Sequence, residues 1–140
     1  MKRVDKTDQP AADALAYLPA TELKRLLMAR QISVRELLDL YLARVEKLNP
    51  AINAVVALDV EGAKRRAWEA DEGIARGDAV PPLHGLPMTI KDAFEVVGMP
   101  ATCGLEPLRH HRPERDADGK VQLGAGGRQL LLGHNLVEVY

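Results

Sequence analysis

One reactive side chain in this sequence sits in a setting that calls for an explanation. It is Lys91, near the end of LHGLPMTIKD, residues 83–92. Met88-Thr89-Ile90 reads as a short buried strand, and His84-Gly85-Leu86-Pro87 ahead of it as a rigid turn. A cation at a strand end has an ordinary explanation, because lysine is almost never buried and a solvated cap suits it. A lysine packed against a sheet, by contrast, loses solvation. That loss favours the neutral amine and makes it a proton acceptor at neutral pH.

The other reactive residues have plainer readings. His84 belongs to the turn, and Cys103, the single cysteine, has no basic partner that the sequence identifies. His110-His111 is a loop pair without metal-ligand spacing to a second cluster, so neither a metal nor a cofactor is expected. Asp92 either holds nearby backbone amides or tunes the lysine electrostatically, and the structural role is favoured.

A chain of 140 residues suits one domain with one core. Hydrophobic residues are 46% and charged residues 28%, an ordinary globular balance, while aromatics are only 4%, so the core must be aliphatic. With 19 basic against 20 acidic residues there is no field to attract nucleic acid, and no direct nucleic-acid partner is expected. The lone cysteine fits a reducing compartment, and MKRVDKTDQP lacks the apolar stretch of a secretory signal. No run is long and apolar enough to span a membrane, and the expected location is cytoplasmic. Nothing in the composition sets an oligomeric state.

Several elements must position the lysine. Thr21 is read as the cap of a first helix bearing Leu23, Leu26 and Leu27 on one face, interrupted at Gln31-Ile32. Ser33 and Glu36 form a capping box for a second helix, with Leu37, Leu38, Tyr41, Leu42, Val45 and Leu48 at helical spacing and a stop at Asn49-Pro50. A strand is expected over 54–58. Asp59 then caps a third helix, along which Ala63, Ala67, Ala70 and Ile74 align until Gly77 ends it. Phe94 to Val97 can extend or repeat a strand before Gly98-Met99-Pro100 turns. Strands alternating with helices make this an α/β chain.

The segment PLHGLPMTIKDAFEVVGMPATCG, residues 82–104, resembles the lysine-bearing part of the amidase signature family: a His-Gly-x-Pro turn, an aliphatic strand, Lys-Asp, then Gly-x-Pro-x-Thr-x-Gly. The two upstream helices, Leu-Asn-Pro and Asn-Ala look like the amino-terminal part of that family. The resemblance implies a fold made of the amino-terminal helices and first strands of the amidase mixed sheet, incomplete in this chain. It also implies hydrolysis of carbon–nitrogen bonds in small non-peptide amides by a Ser-cis-Ser-Lys triad. Lys91 maps onto the catalytic lysine, which draws a proton from the cis serine and helps return one to the leaving amine.

The chain departs from that pattern in two places. It has one serine, Ser33, already assigned to a helix cap, so neither catalytic serine is present and the chain alone is expected to be inactive. Residues 119–140 keep LLLGHN and Glu138 but carry LGAGGRQ where relatives have an aliphatic helix. The expected organisation is therefore an extension over 1–20, the amino-terminal part of an amidase domain over 21–118, and an aberrant or truncated tail over 119–140, explained by a reading-frame disturbance. Two other readings stand beside this one: an amidotransferase-subunit-like fragment that needs partners, and a non-catalytic truncated product.

Overall fold

The computed structural model describes residues 12–118 and the backbone of 130–135. The expected extension over 1–20 lies mostly outside these residues, as does LGAGGRQ. A single-turn helix α1 (Ala12–Leu15) leads into α2 (Ala20–Met28). Pro19, not Thr21, is the residue ahead of α2: its φ of −58° is already helical, and its carbonyl accepts the N–H groups of Glu22 and Leu23. Thr21 lies exposed inside the first turn, which corrects its reading as a cap. The buried face is the expected one, Leu23, Leu26 and Leu27.

The chain leaves α2 through Arg30, at φ +54°, and starts again at Ser33. Helix α3 (Val34–Ile52) opens with the expected capping box. Ser33 Oγ accepts the Glu36 N–H at 3.1 Å, and the Glu36 carboxylate accepts the Ser33 N–H at 2.8 Å. The remaining first-turn amides are satisfied from another helix, because Asp71 accepts Val34 N–H at 2.7 Å and Arg35 N–H at 3.3 Å. The expected stop at Asn49-Pro50 is overturned. Helix α3 runs through Pro50 to Ile52 and ends at Asn53, in the left-handed conformation with φ +47°. A proline this near the end removes one late hydrogen bond, and Glu46, whose carbonyl loses its partner, is exposed.

Strand β1 (Val55–Leu58) follows, then α4 (Val60–Arg76), capped by Asp59 through Gly62 N–H and closed by Gly77 at φ +78°. On α4, Ala63, Ala67 and Ala70 are fully buried, and these small residues let the helix approach closely. They join Leu15, Leu23, Leu26, Leu27, Ile32, Val34, Leu37, Leu38 and Leu86 in one aliphatic core. Arg30 ties the same helices together from the other end: its guanidinium donates to the carbonyls of Ile74 and Ala75 at 2.9 and 3.1 Å, capping the carboxyl end of α4.

Strand β2 (Pro87–Lys91) and strand β3 (Leu130–Asn135) complete a sheet of order β1-β3-β2. Strands β2 and β3 are parallel and β1 is antiparallel to β3, so the expected α/β arrangement is a mixed sheet with helices. Strand β3 falls within residues 119–140 and is the middle strand. Phe94 to Val97 forms no strand, because its backbone is engaged elsewhere: Val97 N–H is held by the Asp116 carboxylate at 2.8 Å, and Glu95 C=O accepts Ala117 N–H. A short 3-10 turn spans Glu106–Leu108. Among the described residues no helix is long and apolar enough to cross a membrane.

Candidate active site

The turn that launches β2 is pinned by three helices. Gly85 adopts φ +81°, and a Cβ there would stand 2.8 Å from Val34 Cγ2 on α3, so only glycine fits both the conformation and the space. Lys24 reaches from α2 to donate to the carbonyls of Pro81 at 3.0 Å and His84 at 3.2 Å. Burial of that amine lowers its pKa from the ordinary lysine value. His84, 5% exposed, sets its ring Nε2 3.3 Å from the Ala70 carbonyl of α4. His84 therefore belongs to the scaffold, as its place in the turn suggested.

Beyond the turn, β2 delivers Lys91 as its last residue. The strand alternates, so Lys91 shares a face with exposed Thr89, while Ile90 points the other way into a small cluster with Val96, Met99 and Ala57. Lys91 is half-buried, and its carbonyl accepts Phe94 N–H at 2.9 Å, turning the chain immediately.

Asp92 then drops into the interior, at 1% exposure. Its two carboxylate oxygens take the N–H of Thr102 at 2.9 Å and the hydroxyl of Thr102 at 2.6 Å. The amide-holding role read for Asp92 is thus observed. The return loop carries Gly98 at φ +87°, Cys103 at φ +51° and Gly104 at φ +69°. Cys103 is exposed. His111 Nε2 lies 3.2 Å from Glu95 and bridges two loop segments. No group of three or more His, Cys, Asp or Glu side chains able to hold a metal occurs among the described residues.

Lys91 is thus a primary amine on an accessible strand face, held by well-fixed backbone on both sides. The described residues place no serine beside it to attack a carbonyl. The chain's only serine is committed elsewhere, its hydroxyl bonded to the Glu36 carboxylate at 2.8 Å at the start of α3. Sequence reading missed Lys24, Asp71 and Arg30, whose partners lie 57, 37 and 44 residues away and leave no local trace.

A sequence profile described as Amidase matches residues 36–134. The chain belongs to the amidase signature family. Its amidase relatives include an acylamidase of Rhodococcus erythropolis, 38% identical over 120 residues, a match that covers 85% of this chain and 25% of that protein. The A subunit of the glutamyl-tRNA(Gln) amidotransferase of Azoarcus sp. (strain BH72) is 46% identical over 118 residues, covering 84% of this chain and 24% of the relative. Among solved structures, a bacterial aryl acylamidase of the amidase signature family superposes with a TM-score of 0.79 at 28% identity, over 89% of this chain and 26% of that one. The chain spans about a quarter of the length of the amidase relatives it matches.

Proposed function

We propose that this chain is the part of an amidase that carries the general base, with Lys91 in that role. In the whole protein Lys91 would take a proton from a serine hydroxyl contributed by the remainder of the domain, as that serine relay attacks the carbonyl of a small non-peptide amide. It would then help return a proton to the departing amine. The observation that carries this reading is the place of half-buried Lys91 at the end of β2, its backbone locked through Asp92 and Thr102.

The division into an extension over 1–20, the amino-terminal part of an amidase domain over 21–118 and an aberrant or truncated tail over 119–140 belongs to the same proposal, as do a reducing, cytoplasmic setting and the absence of a resident cofactor. The test is to replace the matching segment of the Rhodococcus erythropolis acylamidase with residues 36–118. Amide hydrolysis by that chimera, lost on Lys91→Ala, supports the assignment; hydrolysis that survives Lys91→Ala overturns it.

A second reading rests on the amidotransferase relatives. On that reading the amide is glutamine, the product is ammonia, and the chain works with partner subunits. The same segment placed in the Azoarcus amidotransferase separates the two, since glutamine hydrolysis there and inactivity in the acylamidase would favour the second.

A further inference from the structure

We propose that Asp92 and Thr102 are positioning residues for Lys91. The proposal rests on the reading of Lys91 as a base. A base at the end of a strand has a particular difficulty: beyond the last pair of the sheet ladder nothing regular fixes the backbone, and a lysine side chain adds four flexible torsions. The chain meets this difficulty within one residue. Lys91 C=O is held by Phe94 N–H at 2.9 Å, closing a turn over 91–94, and Asp92 anchors that turn in the interior.

The anchor is a carboxylate at 1% exposure, and an anion is costly to bury unless it is well paired. Here it receives two donors from a single residue, at 2.9 and 2.6 Å, ten positions further along the chain. The shorter contact is in the range of a charge-assisted hydrogen bond. Thr102 is fixed in turn: its hydroxyl oxygen accepts Gly104 N–H at 3.2 Å and its carbonyl accepts Leu105 N–H at 2.9 Å. The return loop therefore clamps the peptide that follows Lys91. With Asp92 drawn into the interior and Ile90 packed on the opposite face, the direction in which the lysine leaves the sheet is set from both neighbours.

The arrangement predicts that loosening the clamp disturbs Lys91 before it disturbs the fold. In the intact 140-residue chain, the rate of Lys91 acetylation by acetic anhydride is followed by peptide mass mapping across pH, with exposed Lys47 as internal reference. Thr102→Val removes the hydroxyl donor and keeps the backbone one. The Lys91 profile is expected to shift relative to Lys47, with thermal unfolding still cooperative, and Thr102→Ser is expected to restore it.

An unchanged Lys91 profile in folded Thr102→Val, or an equal change at every lysine, overturns the proposal. Should Thr102→Val fail to fold, Asp92→Asn, which keeps one acceptor and gains a donor, is read in the same way. In the acylamidase chimera, Thr102→Val should lower kcat about tenfold or more with KM unchanged, the signature of a misplaced group. Failure of the base assignment is distinguishable, because it appears as activity surviving Lys91→Ala.

Discussion

Asn49 holds both polar groups of Val55: its amide nitrogen donates to Val55 C=O and its amide oxygen accepts Val55 N–H, each at 2.8 Å. A side chain in the last turns of α3 thus does for the first residue of β1 what a neighbouring strand would do. The helix must continue through Pro50 to Ile52 for Asn53 to turn the chain back within reach. Asn49→Ala should cost about 1–2 kcal/mol, because a half-buried peptide loses both partners. Asn49→Asp should fall between the two, since it keeps the acceptor for Val55 N–H and loses the donor to Val55 C=O. Urea unfolding midpoints of the three proteins check the order.

Much of this architecture was legible because it is local. Ser33 with Glu36 is a helix signal spelled within four residues, and Asp59 and Gly77 each mark one end of α4 by themselves; both helices begin where Ser33 and Asp59 place them. The turn and strand ahead of Lys91 were readable for the same reason. At Thr21 the cap signal lost to Pro19, two positions earlier, whereas at Pro50 and over 94–97 an unusual backbone or a distant partner outweighed local preference. Asp116 taking Val97 N–H is one such partner. Lys91 could be named from its segment, whereas the groups that fix that segment, Lys24 and Thr102, had to be seen in space.

Asp71 caps α3 from α4, and it carries more than its local ion pair with Arg35 suggests. Arg35 is mostly exposed, so that pair contributes little by itself. The bond to Val34 N–H secures an amide that Ser33 does not serve. Asp71→Ala should cost about 1–2 kcal/mol, the scale of a lost helix cap, while Arg35→Ala should cost much less. Paired urea titrations decide it, and equal losses would mean that the ion pair dominates.

Gly85→Ala should cost about 1–3 kcal/mol, through a positive φ and a Cβ pressed against Val34 Cγ2. Val34→Ala in the same chain should relieve the contact but open a cavity in the core. The two losses should therefore be less than additive, and a double-mutant cycle by chemical denaturation measures the shortfall.

Lys24 gives a pH dependence of definite sign. Burial lowers its pKa in the folded chain, so between that lowered value and the ordinary lysine value the unfolded chain binds more protons. Stability attributable to Lys24 therefore rises with pH through that window, since the partly buried amine sheds its charge first in the folded state. Half-buried Tyr41, whose pKa is raised by its own burial, acts in the opposite sense at a similar pH, so the wild-type curve alone does not isolate the effect. The difference in unfolding free energy between wild type and Lys24→Met does. Followed from about pH 8 to about pH 10.5, it should move in favour of the wild type; a flat difference would contradict the burial of this amine.

The 140-residue chain should release no ammonia from aliphatic or aryl amides or from glutamine. The mechanism proposed for the family needs an attacking hydroxyl, a proton relay and donors for the oxyanion, and members of such a set act as a unit, so that losing one removes most of the rate. Lys91 supplies a base alone. Ser33, the one serine hydroxyl, spends its hydrogen on the Glu36 carboxylate and its oxygen on the Glu36 N–H, at the start of a helix whose first turn depends on both. Ser33→Ala should accordingly cost about 1 kcal/mol of stability and change no amide-cleaving rate. Ammonia release that disappears in Lys91→Ala would require a nucleophile within this chain, and exposed Cys103, in the return loop beside Thr102, is the first side chain to substitute.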